Sequence, residues 1–380
     1  MSAYDQDPRI VMTLDAGGTS FRFSAMQGNK PVTPTFTTPS NADDLDRCLQ
    51  NIVEGFTVTK QKCPAQPAAI SFAFPGPADY PNGIIGDLPN LPAFRGGIAL
   101  GPMLEEEFRI PVFLNNDGDL FAYGEAIAGF LPYVNSELEK ACSPKRYKNL
   151  LGITIGTGFG GGIVRDSELF VGDNSIAGEV WLLRHKLAPT MNAEEGISIR
   201  AVRRTYAERA GVPFEQSPEP KVIAEIGLGN QPGNRPAAVE AFRRLGEVVG
   251  DALGNSLTLI DGLAVIGGGL SSAWPLFLAD TVAELNGPYV GPGGNSFPRL
   301  ASKGFNLQEP AEMEKFLKGE TREIKVPRSK RTVKYDPLRR VGIGISRLGT
   351  SQAIAVGAYA FALRRLDDSE RGASLRTNRP

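Results

Sequence analysis

Histidine is nearly absent from this chain: His185 is the one example in 380 residues. A Ser-His-Asp nucleophile would have to use that single imidazole, so a general base is expected to be a carboxylate. Cysteine is scarce as well. Cys48, Cys63 and Cys142 are odd in number, far apart and in no CxxC pair, which excludes a thiolate zinc site and a disulfide framework and fits a reduced, cytoplasmic protein. There is no run of roughly 18 or more apolar residues to cross a membrane, and the polar segment 1–9 lacks the apolar centre of a signal peptide. Net charge is small too: 41 Lys and Arg against 42 Asp and Glu leave −1, so nothing draws the whole chain toward nucleic acid or an anionic surface.

What is present is length, apolar content and glycine. With 41% hydrophobic and 22% charged residues, the chain reads as globular, with two or three domains. Its 44 glycines are about 12% of the chain against a usual value near 7%. They fall in short clusters, as expected of loops that let backbone approach a ligand closely.

The apolar pattern predicts a strand over 10–14, a glycine turn, and a returning strand over 21–25. A helix is expected over 41–60, with Asn41 as its cap and an apolar stripe of Leu45, Leu49, Ile52, Val53 and Phe56. Strands over 68–74 and 112–114 follow, the second meeting a helix that starts near Asp117. A further strand, 150–155, opens the richest glycine stretch, and 263–266 is a short strand between helices 237–260 and 273–285. Residues 286–350 lose this rhythm and are basic in part. Residues 351–366 resume as an alanine-rich helix. A strand followed by a glycine turn recurs in both halves, which suggests two α/β domains facing across a cleft.

Three glycine turns carry the candidate chemistry. Asp15-Ala16-Gly17-Gly18-Thr19 lies between two strands, where bare N–H groups can hold phosphate oxygens. Thr19 adds a hydroxyl, Arg22 adds positive charge, and Asp15 could orient Mg²⁺ through water. An ordinary glycine-rich hairpin uses the same residues. Gly156-Thr157-Gly158-Phe159-Gly160-Gly161 matches GxGxxG formally, but strand residues follow it, so a Rossmann site is rejected in favour of a second phosphate-gripping hairpin. Gly267-Gly268-Gly269 ends a strand before a helix and could take an adenine and ribose against bare backbone. Asn115-Asn116-Asp117 ends a buried strand; an Asp there is either a helix N-cap or part of a ligand site. Glu179 and Glu194 are candidates for sugar hydroxyl contacts, and solvated loop positions are the alternative. His185, between Arg184 and Lys186, reads as a surface residue.

This ordered set resembles the repressor–ORF–kinase (ROK) family of sugar kinases, over roughly residues 8–130, 150–200 and 237–285 plus the closing helix. The resemblance implies an α/β, two-domain actin-like ATPase fold of ribonuclease-H-like domains with the active-site cleft between them. The expected division is 1–117 with 351–366 as the first domain, and 118–350 as the second with a basic insertion at 286–350. It implies ATP- and Mg²⁺-dependent phosphorylation of a hexose or N-acetylhexosamine, glucokinase-like at the 6-hydroxyl. A catalytically weak sugar sensor is the alternative. By resemblance Asp117 is the general base, and Asn90, Asn116 and Glu179 bind sugar hydroxyls. Asp15, Gly17, Gly18, Thr19, Thr157 and Gly158 match phosphate positions, and Gly268 and Gly269 the adenosine segment. Leu182 replaces the family histidine that touches both sugar and zinc, and the cysteine cluster is missing, although Glu194 and Ser198 keep a Glu-x-x-x-Ser spacing. The expectation is therefore no zinc, with the loop held by burial of Trp181, Leu182 and Leu183. Only 14 residues precede Asp15, too few for a helix-turn-helix, so a DNA-binding repressor is not expected; with near-neutral charge and no apolar span, neither is a nucleic-acid or membrane partner. A cytoplasmic homodimer is.

Overall fold

The computed structural model describes all residues except 1–3, 18, 75, 77, 87–91 and 378–380. The chain forms two compact units. The first comprises Met1–Gly129, Glu168–Ala177 and Leu348–Pro380; the second comprises Phe130–Ser167 and Gly178–Arg347.

In the first unit, β1 (Val11–Ala16) returns antiparallel as β2 (Ser20–Gln27), with Asp15 opposite Arg22 in the register. Two short strands, β3 (Lys30–Pro31) and β4 (Phe36–Pro39), pair on β2. The other side of β1 takes β5 (Ala69–Ala73), which takes β6 (Val112–Asn115); both are parallel pairings. Between β4 and β5 runs helix α1 (Leu45–Lys62), which buries Cys48, Ile52 and Phe56 against the sheet. It starts at Leu45, the first residue of the apolar stripe, and so later than a cap at Asn41 would place it. Asp44 caps it by accepting the Arg47 N–H, whereas Asn41 sits at φ 47° in the turn before. Phe56 is the hub of an aromatic core, with its ring 5.1 Å from Phe23, 5.7 Å from Phe72 and 6.0 Å from Phe108.

Helix α2 (Leu100–Phe108) leads into β6, and α3 (Asp117–Ile127) leaves it. The closing helix, Thr350–Thr377, packs on α3 with backbone nearly touching backbone. A Cβ on Gly124 would strike the Ala353 carbonyl, and one on Gly357 would strike the Leu120 carbonyl. Glycine is required at both crossings, and the close fit fixes the axis of the helix that begins at Asp117.

The second unit opens with α4 (Phe130–Lys140) and the antiparallel pair β7 (Leu150–Ile155) and β8 (Phe159–Arg165). The chain then passes through β9 (Glu168–Phe170), in the segment belonging to the first unit. Helices α5 (Ile199–Ala210), α6 (Pro220–Leu228) and α7 (Arg235–Ile260) follow, then β10 (Leu263–Gly267), parallel to β7. The apolar face of α7 buries Phe242, Leu245, Val249, Leu253 and Leu257 in the main core, where α8 (Leu278–Leu285) adds Leu278, Val282 and Leu285.

Residues 286–347 contribute to this unit's sheet. They hold an exposed hairpin, β11 (Pro288–Val290) with β12 (Ser296–Pro298), then β13 (Lys303–Asn306) and α9 (Pro310–Lys318). A second exposed hairpin, β14 (Arg322–Lys325) with β15 (Thr332–Tyr335), precedes β16 (Arg340–Ile345). Both β13 and β16 enter the sheet, in the order β13-β16-β10-β7-β8. Gly and Pro turns with basic hairpin residues hide the two sheet strands from a periodicity reading.

Candidate active site

In the first unit, β1 delivers Asp15 to the end of the sheet. The turn that follows is tied internally. The Gly17 N–H donates to the carbonyls of Asp15 and Ser20 at 3.2 and 3.1 Å, and the Thr19 carbonyl accepts the Ser40 N–H at 3.1 Å. Thr19 is exposed. Directly paired residues project from one face, so Asp15 and Arg22 share a side. Together with Thr13, Ser24, Ser351 and Gln352 they line a cavity of about 330 Å³.

Strand β6 ends at Asn115, and its successor resolves the helix-cap alternative. Asn116 is the N-cap of α3, its Oδ1 accepting the Gly118 N–H at 2.7 Å. Asp117 therefore occupies the first turn, where its Oδ1 also accepts the Gly118 N–H at 2.8 Å while the side chain stays open to solvent on its free side. Desolvation by the surrounding protein raises the Asp117 pKa above the ordinary 3.8. Backbone N–H groups of Gly118 and Asp117 pull it back, and the charge of Asp15 raises it again. A carboxylate shifted upward in this way suits proton acceptance near neutral pH. Tyr80, which carries no local motif, also reaches this corner. Its hydroxyl donates to the Phe74 carbonyl at 2.9 Å and accepts from Asn116 Nδ2 at 3.5 Å, which orients the cap. A Cβ on Gly76 would strike that hydroxyl.

In the second unit, the β7–β8 turn is Gly156-Thr157-Gly158, closed by the Gly156 N–H on the Gly158 carbonyl at 2.9 Å. The amides of Thr157 and Gly158 have no hydrogen-bond partner among the described residues, as a phosphate-gripping turn requires. Antiparallel β8 after the turn bears out the rejection of a Rossmann site. Two groups brace the turn from one side: Glu194 Oε2 accepts the Phe159 N–H at 3.1 Å, and the Ile199 N–H donates to the Gly156 carbonyl at 2.8 Å. Glu194 is thus committed to the hairpin through one oxygen, and Ser198 caps α5 beside it by accepting the Ala201 N–H. Gly268, at φ 87°, packs against the backbone of Ile155, where any Cβ would collide. Gly269 faces open space, and the nearest atom to a Cβ on Gly156 would be its nitrogen, 4.0 Å away. The second hairpin and the triple glycine are therefore neighbours. Glu179 follows Gly178, and its Oε2 accepts the indole N–H of Trp181.

The first unit thus holds Asp15, Gly17, Thr19, Arg22, Asn116 and Asp117, and the second holds Thr157, Gly158, Glu179, Glu194, Gly268 and Gly269. Gly18 and Asn90, expected at phosphate and sugar, lie outside the described residues. Two expectations about the loop 181–198 are corrected. Leu182 is 59% exposed; Trp181 and Leu183 alone pack on the core, because residues 180–182 form one turn of 3-10 helix that points its third residue outward. His185 is buried, 8% exposed, since the loop folds back over it. Among the described residues, no group of three or more His, Cys, Asp and Glu is arranged to hold a metal ion.

The order of these elements has known counterparts. The chain superposes on a glucokinase from Parabacteroides distasonis with a TM-score of 0.87 and 54% identity, covering 95% of this chain and 99% of that one. An N-acetyl-D-glucosamine kinase of Vibrio vulnificus is 29% identical over 277 residues, 68% of this chain and 84% of the relative. A glucokinase of Streptomyces coelicolor is 25% identical over 291 residues, 71% of this chain and 84% of the relative. The fold is the two-domain actin-like ATPase fold of these sugar kinases. The ROK family model matches residues 11–293, a span that runs from β1 through both hairpins and the triple glycine, and the chain belongs to the ROK family.

Proposed function

We propose that the chain is an ATP-dependent hexose kinase that transfers the γ-phosphoryl group to the 6-hydroxyl of glucose or a closely related hexose. The observation that carries this reading is the division of labour at α3. Asn116 caps the helix, and the Asp117 carboxylate, held at one oxygen by the Gly118 N–H, stays open on one side with its pKa raised. The named activities of the relatives, glucokinase and N-acetyl-D-glucosamine kinase, supply the substrate class.

Asp117 accepts the proton of the attacking sugar hydroxyl. That raises the nucleophilicity of the oxygen as its bond to phosphorus forms and the bond to the β-phosphate oxygen breaks. Asn116, held by Tyr80, and Asn90 and Glu179 orient sugar hydroxyls. The amides of Thr157 and Gly158 donate to phosphate oxygens, with Gly17, Gly18 and Thr19 as the second phosphate turn and Arg22 as a nearby cation. The Thr157 and Gly158 amides are in place before reaction, so little reorganisation is needed there as charge develops. Gly268 and Gly269 leave room for the nucleoside. Asp15, a hard oxygen donor, fits Mg²⁺ held through water. When bound, that ion would supply positive charge to the phosphates.

The three cysteines are free, and burial pushes the Cys48 thiol up to about 11, which suits a reducing cytoplasm. No helix among the described residues is long and apolar enough to cross a membrane. The hairpin β11–β12 exposes Tyr289, Val290 and Phe297, apolar surface suited to a homodimer contact. A coupled ADP-release assay over hexoses, hexosamines and N-acetylated sugars tests the reading. Turnover of glucose or N-acetylglucosamine supports it. Sugar binding by calorimetry with no ADP release would make the protein a sensor.

A further inference from the structure

We propose that His185, as a neutral imidazole, is the positioning residue that holds the loop 181–198 and, through Glu194, the second phosphate hairpin. Its Nδ1 accepts two backbone N–H groups at once, from Leu187 at 3.0 Å and Ala188 at 3.1 Å. That geometry requires a bare Nδ1 and places the proton on Nε2. The ring presses on Gly196, where any Cβ would collide with it. Around this centre the loop closes on itself. The His185 N–H donates to the Met191 carbonyl at 3.0 Å, and the Ala193 N–H to the Leu183 carbonyl at 2.6 Å. Ala193 begins the short turn that carries Glu194, whose carboxylate accepts the Phe159 N–H at the hairpin. Five residues therefore connect the imidazole to the hairpin: His185, Leu183, Ala193, Glu194 and Phe159.

Protonation breaks this arrangement at its first link. An imidazolium presents N–H at Nδ1 to two other N–H donors, so both of those hydrogen bonds are lost on protonation. The groups facing His185 are mixed in sign. Glu195 comes from the loop, Arg204 and Glu208 from α5, and Arg244 and Asp251 from α7; Lys186 beside it is paired with Glu247 and Glu284. Glu195 is occupied by Arg200 and Arg204. Desolvation first, and Arg204 second, hold the folded His185 below its ordinary 6.5, with a hydrogen bond to its own backbone, Glu195 and Asp251 opposing. The loop is thus closed at neutral pH and opens as pH falls through that lowered value.

The activity readout rests on the kinase reading; the exchange readout does not. Amide hydrogen exchange on the full chain, corrected for intrinsic rates, should show Leu187, Ala188 and Phe159 protected at neutral pH and losing protection together below pH 6.5. His185→Asn places an acceptor oxygen near the Nδ1 position and cannot titrate. It should keep protection and remove the acid transition. His185→Leu keeps bulk without an acceptor; it should lose protection at all three amides while β7 stays protected. Its kcat/KM at neutral pH should fall about tenfold or more, because small misplacements of phosphate donors are costly. Three results would overturn the proposal: wild-type protection and kinetics in His185→Leu, an unchanged acid transition in His185→Asn, or separate transitions for Phe159 and Leu187. If His185→Leu does not fold, the presence or absence of the acid transition in His185→Asn decides alone. If wild-type protein phosphorylates no sugar, the kinase reading fails while the exchange data still decide the role of His185.

Discussion

The charge of Asp15 bears on Asp117, and both carboxylates belong to the same unit, one at the end of β1 and the other at the start of α3. Desolvation is the larger cause of the raised Asp117 pKa, and the like charge adds to it. In the proposed role Asp117 works ionised, so activity is expected to fall as pH drops through that raised value. The acid limb of kcat/KM is expected above the ordinary carboxylate value of 3.8. Asp15→Asn should move the limb to lower pH, and a pH profile in each variant checks this.

Asp117→Asn keeps shape and hydrogen bonding but cannot take a proton. The turnover number should drop by about 10²–10⁴, with sugar affinity by calorimetry largely kept. Stability should respond in the opposite sense. A group with a raised folded pKa favours the folded state while protonated and loses that contribution as pH rises through the folded value. The Asn variant should therefore melt higher than the parent at neutral pH and not below the ordinary carboxylate range. Turnover within a few-fold of the parent would demote Asp117 from its role.

Glu194 braces the second hairpin through the Phe159 N–H. Glu194→Ala removes a charge-assisted hydrogen bond, worth roughly 1.5–3 kcal/mol, and should raise KM for ATP about tenfold or more. Glu194→Gln retains an acceptor and should recover most of the loss. Steady-state kinetics with ATP varied separates the two.

Arg340 is fully buried and pairs with Asp336 at 2.5 Å, with Phe316 under the guanidinium. Burial pushes the Asp336 carboxyl up, but the Glu320 N–H, Arg340 and the Leu338 N–H together hold it below the usual range. Its stabilising contribution is present above the unfolded value and lost as pH falls through the folded one. Asp336→Ala leaves the buried cation uncompensated and should cost about 3–5 kcal/mol in urea unfolding. Asp336→Leu with Arg340→Met should cost less than Asp336→Ala alone.

The loop 181–198 is tied by backbone hydrogen bonds around His185 and by Trp181 and Leu183 on the core. Purified protein is expected to carry no stoichiometric zinc, since such a site takes four ligands, mostly Cys and His. Elemental analysis decides. One zinc per chain, with activity lost on removal and restored on return, would refute the expectation.

The strand-turn motifs were legible in the sequence because their signals are local. An apolar β-branched run ending at Asp15, glycines that cannot continue a helix, and an Asn-Asp pair after a buried strand each fix backbone within a few residues. His185 reads as exposed for the same reason. Its sequence neighbours Arg184 and Lys186 are charged, yet its burial comes from residues 187–196 folding over it and from α5 and α7, which adjacency does not encode. Leu182 was misplaced because a single 3-10 turn sets its direction. The strands β13 and β16 were hidden because their partners lie far along the chain.

By itself, then, the sequence determined the α/β class, the two glycine hairpins, the triple-glycine turn and the carboxylate at position 117. Tertiary structure alone decided what Glu194 holds and where His185 lies. Each of those depends on contacts between distant segments, and hydrogen-bond partners at long range follow from packing rather than from neighbours along the chain.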